Sequence, residues 1–395
     1  MERSGRIGIV PPRYGDEVIG GAEAVLREIA QGLAGRGWDV EVLTTCARDH
    51  FSWANEYEPG LEERDGLKVR RFPTVLDTRR AERAEISATL LAGGEVDLHR
   101  QQRWMNDDLR VPELWHHLLD HGAEYRALIF APYLFWTTFA GGQVAPERTI
   151  LVPCLHDEPE AWLELFRPLF SGARGLWFLS EPEHQLAHRI HGELPDHEVT
   201  GAGVPVPERY DPDGFRERHG IHRPFVLYAG RREGGKNWEW LLSAFARAVK
   251  VHDLPFALVT MGTGAVSPPA EIADRVIDLG FLPHHERDDA FAAADAYVQP
   301  SALESFSRTV MEAWLAGTPV LANGASEVVA WHCERSGAGL TFADEVDLGW
   351  ALQYIADRPD AARALAKEGR EYVLEHYRWD DVLDRLEPLL EGWTQ

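Results

Sequence analysis

Short apolar runs alternate with stretches of helical periodicity along most of the chain. Residues 6–10 and 39–44 are rich in β-branched and aliphatic side chains and predict strands. Between them, residues 22–36 predict a helix, because apolar side chains recur every three to four positions from Val25 to Leu33. Further strands are predicted at about residues 127–130, 149–152, 176–179, 225–228, 296–299 and 319–322. This alternation is typical of α/β folds with parallel sheets.

The alternation is interrupted near the middle of the chain, at residues 201–224, where glycine and proline are frequent. We interpret this segment as a linker between two doubly wound sheets. Residues 1–204 are therefore predicted to form one Rossmann-like domain, and residues 205–376 a second. The charged, tryptophan-bearing stretch between residues 76 and 121 predicts helical excursions. Residues 377–395 carry an amphipathic pattern that predicts a final helix.

Composition narrows the functional classes. The 395 residues are 45% hydrophobic, enough for sizeable cores, and the formal net charge of −24 argues against a nucleic-acid partner. Cys46, Cys154 and Cys333 lack C-x-x-C spacing, so neither a disulfide framework nor a structural zinc site is indicated. The first apolar run is too short for a signal peptide, and no segment is long enough to span a bilayer. We expect a cytoplasmic protein without a transmembrane segment, for which local basic patches leave peripheral membrane contact open.

Two acidic residues flank the start of a helix predicted at residues 308–316. Glu304 precedes this helix, and Glu312 lies inside it among apolar neighbours, where a charge needs partners. Ser305 and Ser307 are candidate N-caps. A helix start beside the carboxyl end of a strand suits a diphosphate, and carboxylates accept hydrogen bonds from hydroxyl groups. The pattern predicts a sugar-nucleotide site, although a solvated surface charge is the alternative for either Glu alone.

A basic, glycine-containing loop follows the strand predicted at residues 225–228. Gly230, Gly235 and Lys236 satisfy the G-x-x-x-x-G-K pattern of nucleotide triphosphatases. Asn237 stands where a Ser or Thr would bind magnesium, so the chain departs from that pattern at the metal ligand. A P-loop-like nucleotide hydrolase is therefore an alternative function.

With these two segments, the chain resembles the retaining glycosyltransferases of the GT-B fold. This is the large E-x7-E family, glycosyltransferase family 4 or glycosyl transferases group 1. Glu304 and Glu312 match the two acids of its motif, and residues 305–323 match the run that continues it. Arg231 and Lys236 match its G-R-x4-K pattern, and the resemblance implies that they neutralise the diphosphate leaving group.

The first glycine-rich loop, at residues 11–23, fails the G-x-G-x-x-G pattern of dinucleotide sites. Gly15, Gly20 and Gly21 have the wrong offsets. Gly20, Gly21 and Glu23 instead match the GG-x-E loop of the glycosyltransferase family, which implies contacts with the donor phosphate and the acceptor. The alternative for Gly20 is a glycine that only allows the turn into a helix.

His156 follows the strand predicted at residues 149–152, at the sheet edge where such folds bind ligands. Cys154, His156 and Asp157 could also be metal ligands, but no second cluster supplies the remaining ligands. The resemblance implies that His156 hydrogen-bonds the transferred sugar. Asp157 either orients His156 or caps the helix that follows. Arg308 departs from the small or aliphatic residue that is common at its position in the family.

The resemblance implies two Rossmann-like domains facing a central cleft, with the last helix crossing back to the first domain. It further implies retaining, metal-independent transfer of a hexose-type sugar from a UDP- or GDP-sugar to a hydroxyl group of a saccharide or small-molecule acceptor, with no cofactor. A non-catalytic sugar-nucleotide-binding protein is a second alternative. The predicted catalytic residues are His156, Arg231, Lys236 and Glu304. The predicted donor contacts are Gly21, Gly230, Arg231, Lys236, Phe281, Leu282, Glu304, Ser305, Phe306, Ser307 and Glu312, and the predicted acceptor contacts are Gly20, Gly21, Glu23, His156 and Asp157.

Overall fold

The computed structural model describes residues 5–18, 20–76, 80–107 and 109–394. The chain divides into two compact units. The first comprises Met1–Gly203 and Trp379–Gln395, and the second is Val204–Arg378. Within the second unit its two ends are paired, because the Val204 amide donates to the Tyr377 carbonyl at 2.8 Å.

The predicted strands and helices are present, together with strands that the sequence pattern did not predict. The strands are β1 (Arg6–Val10), β2 (Asp39–Thr45), β3 (Gly60–Arg64), β4 (Leu67–Phe72), β5 (Val75–Leu76), β6 (Leu109–Arg110), β7 (Tyr125–Phe130), β8 (Thr149–Leu151), β9 (Gly175–Phe178), β10 (His197–Val199), β11 (Phe225–Ala229), β12 (Ala257–Met261), β13 (Val276–Asp278), β14 (Ala296–Gln299), β15 (Val320–Asn323) and β16 (Leu340–Phe342). The helices are α1 (Gly21–Gly35), α2 (Arg80–Leu91), α3 (Leu98–Asn106), α4 (Pro112–His121), α5 (Trp136–Gly141), α6 (Arg167–Gly172), α7 (Glu181–His191), α8 (Pro212–His219), α9 (Trp238–His252), α10 (His284–Ala293), α11 (Arg308–Leu315), α12 (Glu327–Ser336), α13 (Glu345–Asp357), α14 (Pro359–His376) and α15 (Trp379–Trp393).

The first unit is built on an eight-stranded sheet in the order β10-β9-β8-β7-β1-β2-β4-β3. Its strands are parallel except for the β3–β4 pair. Ile7 and Ile9 of β1 are fully buried, as expected for a central strand covered on both faces. Ile29 and Leu33 on the predicted apolar face of α1 are also fully buried, which confirms the helical pattern.

The second unit has a six-stranded, wholly parallel sheet in the order β13-β12-β11-β14-β15-β16. Counted within this unit, the order is 3-2-1-4-5-6, that of a doubly wound nucleotide-binding fold. The strand order reverses between β11 and β14. Ligands of such sheets bind outside the carboxyl ends of the strands at this reversal, so the loops after β11 and β14 are placed to meet a ligand.

The last helix, α15, packs in the first unit, as the resemblance implied. The Trp38 indole N–H donates to Glu387 Oε1 at 2.7 Å, and the Trp379 indole N–H donates to Glu28 Oε2 at 2.9 Å. Leu386 is fully buried. The apolar face of α15 therefore completes the core of the first unit. No helix in the described part of the chain is long and apolar enough to cross a membrane.

Residues 201–224 are not a plain linker, so this prediction was wrong over α8. Pro212 stands in the first turn of α8, and Asp211 caps it by accepting from the Gly214 amide at 3.1 Å. Gly220 ends the helix in a left-handed conformation. Proline in the first turn and glycine just after the last turn mark the boundaries of a helix. The sequence interpretation instead took these residues as signs of a linker without secondary structure. The helices predicted between residues 76 and 121 are confirmed as α2, α3 and α4.

Candidate functional site

The loops after β11, β12 and β13 meet through glycine backbone. The Gly230 amide donates to the Met261 carbonyl at 3.0 Å, and the Gly262 amide donates to the Gly280 carbonyl at 2.7 Å. Gly262 has a φ of +133°, and a Cβ built there would lie 2.0 Å from the Gly230 carbonyl oxygen. Only glycine allows this approach. The three loops are thus fixed against one another at the carboxyl edge of the sheet.

Arg232 also links the loops after β11, β12 and β13, and sequence reasoning missed it. Its Nε donates to Thr260 Oγ1 at 3.1 Å, its Nη1 donates to the Gly264 carbonyl at 2.9 Å, and its Nη2 contacts Asp278. The side chain is 2% exposed, whereas that of Arg231 is 37% exposed and lies 3.1 Å from Glu233. Consecutive arginines in a loop carry no periodicity that tells which one faces inward. Arg231 is the one that a ligand can reach.

Lys236 and Glu304 form an ion pair that joins the two predicted motifs. Lys236 Nζ lies 2.9 Å from Glu304 Oε1, and the side chains are 27% and 13% exposed. Lys236 follows β11 and Glu304 follows β14, the neighbouring strands at the reversal of strand order. Gln299 Nε2 is 3.4 Å from the same carboxylate oxygen. Lys236 and Glu304, which are 68 positions apart in sequence, are therefore in contact at the edge of the sheet, and both are partly exposed.

The Ser307 side chain does not cap α11, which corrects one prediction. Ser307 occupies the N-cap position with a φ of +64°, but its hydroxyl does not cap the helix. Ser307 Oγ instead accepts from Gln299 Nε2 at 2.8 Å. Ser305 lies two residues before the cap position and is half-buried. The N-terminus of a helix presents N–H groups and the positive end of its dipole.

Phe306, Phe281 and Leu282 were all predicted to touch the donor, and they differ in exposure. The Phe306 ring is 3% exposed and packs edge-on against Tyr377, with centroids 5.0 Å apart. Only its backbone can meet a ligand. Phe281 is 59% exposed, and Leu282 is half-buried. The loop that carries them follows β13 and leads directly into α10.

Glu312 is buried, so it is not a solvated surface charge. Its Oε1 lies 2.7 Å from Arg287 Nη2 and 3.8 Å from Arg308 Nη2. The carboxylate side chain is 7% exposed. Arg308, the residue that departs from the family pattern, is therefore one of two cations beside this acid. A buried carboxylate is tolerated when cations compensate it in this way.

In the first unit, the loop after β8 presents His156 at the carboxyl edge. The His156 side chain is 30% exposed, and its Nδ1 lies 3.9 Å from Glu158 Oε2. Asp157 accepts from the Trp162 indole at 2.8 Å and lies 3.9 Å from Arg189. The short 3₁₀ helix at Pro159–Trp162 has Glu158 at its N-cap position and no side-chain cap. The alternative that Asp157 caps this helix was thus wrong.

Glu183 fixes the loop that carries His156 through hydrogen bonds to backbone amides, and sequence reasoning missed it. It accepts from the Leu155 amide at 2.7 Å and from the Leu179 amide at 2.6 Å, and it is 1% exposed. Burial raises the pKa of Glu183 to about 8. The signal in the sequence was a capping box, since Ser180 caps α7 and Glu183 follows three residues later.

The glycine loop at the start of α1 is held by a buried ion pair. Glu23 Oε1 accepts from Arg13 Nε at 3.0 Å, and the two side chains are 8% and 5% exposed. A Cβ at Gly20 would lie 2.0 Å from Glu23 Oε2, whereas a Cβ at Gly21 would meet nothing within 4 Å. A side chain at Gly20 would displace the end of the Glu23 side chain, which pairs with Arg13. The protein supplies no steric reason for Gly21, whose predicted role depends on a ligand.

The cysteines are inert by position. All three are free and buried. Burial raises the pKa of Cys46 to about 11 and that of Cys333 to about 12, and it raises the pKa of Cys154 well above its ordinary value. They remain thiols at neutral pH and are poor nucleophiles. Within the described ranges, no group of three or more His, Cys, Asp or Glu side chains could hold a metal ion.

Comparisons with known proteins connect this geometry to a family. Residues 223–357 match the family described as Glycosyl transferases group 1, and they contain every predicted donor contact except Gly21. Over 94% of its length the chain is 26% identical to a D-inositol 3-phosphate glycosyltransferase of Saccharomonospora viridis, 89% of which is covered. Sucrose-phosphate synthase of Thermosynechococcus elongatus has the same fold, with a TM-score of 0.76 at 19% identity, and the match covers 98% of this chain and 99% of that one. Anabaena HepE in complex with UDP-glucose also matches, with a TM-score of 0.71 at 17% identity. This match covers 98% of this chain and 99% of HepE. Both sheets belong to a GT-B fold.

Proposed function

Since this chain is a glycosyltransferase with a Glycosyl transferases group 1 domain at residues 223–357, we propose that it transfers a hexose-type sugar from a nucleoside diphosphate sugar. The acceptor is a hydroxyl group of a saccharide or small molecule. Transfer proceeds with retention of anomeric configuration and without a metal ion.

The observation that carries this proposal is the Lys236–Glu304 pair. Its Nζ–Oε1 distance is 2.9 Å, and both side chains keep some exposure at the reversal of strand order. The Lys236 ammonium, which contacts the loop before α11, favours an anionic ligand, and the neighbouring carboxylate can accept from sugar hydroxyls. A nucleoside diphosphate sugar supplies both the anion and the hydroxyls. We therefore assign the donor to this edge of the second unit.

The chemistry follows from the charge that develops at the leaving group. The bond between the anomeric carbon and the diphosphate oxygen breaks while the acceptor oxygen bonds to the same face of the carbon. The acceptor proton passes to the departing diphosphate. Arg231, Lys236 and the N-terminus of α11 stabilise the added negative charge. These groups supply the electrostatic work that a divalent ion supplies in other phosphate sites.

Base and acceptor are assigned to separate elements. Phe281, 59% exposed, and Leu282 border the base. Glu312 accepts from the ribose hydroxyls, as an acid does in dinucleotide sites. In the first unit, Gly20, Gly21 and His156 are assigned to the acceptor, while the contacts of Glu23 and Asp157 with Arg13 and Trp162 give these two acids a supporting part.

Calorimetric titration with UDP, GDP, ADP and ATP, each with and without magnesium, tests the proposal. HepE, which shares this fold, was solved with UDP-glucose, so UDP is the first nucleotide to titrate. We expect UDP or GDP to bind with an affinity that magnesium does not change. A magnesium-dependent preference for ATP would contradict the proposal and favour a P-loop-like hydrolase.

Transfer is tested separately, because binding alone is compatible with a non-catalytic sugar-nucleotide-binding protein. The sugar donor of the preferred nucleotide is incubated with a panel of saccharides and polyols, and free nucleoside diphosphate is measured. We expect release that depends on one acceptor class. NMR of the product should show the anomeric configuration of the donor, and an inverted product would contradict the retaining mechanism.

A further inference from the structure

The carboxylate of Glu312 is held from one side only. Arg287 Nη2 lies 2.7 Å from its Oε1, and Arg308 Nη2 lies 3.8 Å from the same oxygen. The second oxygen, Oε2, is buried and has no hydrogen-bond partner among the described residues. Both cations therefore act on Oε1, and Oε2 is left as an acceptor.

A buried carboxylate oxygen without a donor costs free energy, because it has lost its water and gained nothing in exchange. Glu312 is 7% exposed, so bulk water cannot compensate it fully. A ligand hydroxyl that donates to Oε2 would remove this cost. The orientation of Oε2 depends on how Oε1 is held, and the shorter of the two contacts of Oε1 is with Arg287.

Arg287 belongs to a different element from Glu312. It lies on α10, which begins at His284 immediately after the Phe281–Leu282 loop. Glu312 lies on α11, whose start follows the Glu304 loop. The Arg287–Glu312 contact thus ties the segment assigned to the base to the segment assigned to the ribose and diphosphate. The Arg287 side chain is 30% exposed, so most of it is buried.

We infer that Arg287 is a positioning residue for the donor: it orients the Glu312 carboxylate so that Oε2 accepts from the ribose hydroxyls of the nucleoside diphosphate. Arg287 itself touches no substrate. This inference rests on the proposed function, since it concerns the same donor site.

The test measures a ratio of affinities. The dissociation constants of UDP and 2′,3′-dideoxy-UDP, or of the GDP pair if GDP binds, are determined for the wild type, Glu312→Gln, Arg287→Met and the double variant. We expect the wild type to prefer the natural nucleotide by about tenfold or more, the size of a hydrogen bond to a charged group. Both single variants should reduce this preference to within about twofold, and the double variant should reduce it no further.

A residue that only supports the fold would behave differently. Arg287→Met would then weaken both nucleotides by the same factor and keep the wild-type ratio, which would overturn the inference while leaving the proposed function intact. A wild type that binds no nucleoside diphosphate would overturn both. Methionine keeps the length of the side chain and suits a helix, which favours folding.

Two further variants complete the design. If Arg287→Met does not fold, Arg287→Lys decides, because lysine keeps the charge but not the planar guanidinium. Its ratio should lie between those of the wild type and Glu312→Gln, and a wild-type ratio would overturn the inference. Arg247→Ala is the matched control, since Arg247 makes an interhelical contact of 2.7 Å with Glu345, but at the surface. It should leave the ratio unchanged.

Discussion

Each unit contains a cation–carboxylate pair beside the loop that follows its central strand, and the two pairs differ in exposure. Lys236 and Glu304 in the second unit are 27% and 13% exposed. Arg13 and Glu23 in the first unit are 5% and 8% exposed. The same kind of contact is therefore within reach of a ligand in one unit and enclosed as a support in the other.

The two cations differ in how many of their N–H groups donate hydrogen bonds to the protein. Arg13 contacts Glu23 through two nitrogens and donates from Nη1 to the Arg48 carbonyl at 3.0 Å. Lys236 has three N–H donors, and within the described part of the chain its side chain donates to Glu304. An ammonium with unused donors can bind a phosphate without first losing a contact. Motif spacing alone does not distinguish these two situations.

The largest expected effect is on stability, from Arg13→Ala. This variant leaves Glu23 buried without its compensating charge, so the free energy of unfolding should fall by about 3–5 kcal/mol. Urea unfolding followed by circular dichroism measures the change. Arg363→Ala is the control, because Arg363 pairs with Asp360 at the surface, with exposures of 67% and 96%. A loss of less than about 1 kcal/mol in Arg13→Ala would show that the two pairs are energetically alike.

Lys236→Ala should reduce activity strongly and stability only slightly. We expect turnover to fall by about a hundredfold, as when one preorganised oxyanion donor is removed, with a change in stability of less than about 1 kcal/mol. The rate of nucleotide release at saturating donor measures the first, and urea unfolding measures the second. Lys250→Ala removes an exposed lysine from α9 and should leave turnover unchanged. An unchanged rate in Lys236→Ala would remove Lys236 from the site.

The third prediction concerns the pH dependence of stability and Glu183 in the first unit. Burial raises the pKa of Glu183 from 4.5 to about 8, so the folded chain retains a proton that the unfolded chain releases at lower pH. Its contribution to stability is complete below about pH 4.5 and is lost as the pH rises through about 8. The loss is at most about 1.4 kcal/mol per pH unit.

Urea unfolding at intervals from pH 5 to pH 9 measures this slope. Glu183→Gln cannot titrate, so the difference in slope between this variant and the wild type isolates the contribution of Glu183. Glu181→Gln, at a half-buried position on the same helix, should keep the wild-type slope. Parallel curves for Glu183→Gln and the wild type would show that Glu183 is ionised throughout this range.

Sequence reasoning worked where the signal was local. The strand at residues 296–299 was predicted at its observed bounds, and the helix at 308–316 within one residue. The Lys236 and Glu304 motifs were found because each follows a strand. It failed at α8, whose boundary residues were taken for a linker, and at Ser307, whose hydroxyl bonds Gln299 rather than capping α11.

The sequence by itself determined the α/β class, part of the strands and helices, and the acids and cations at the strand ends. These follow from periodicity and from short spacings, which depend on neighbours along the chain. The tertiary structure decided which charges are enclosed and which are exposed. Arg231 and Arg232 are adjacent in sequence, yet one is 37% exposed and the other 2%. Burial depends on residues brought together from distant parts of the chain, such as Asp278 beside Arg232.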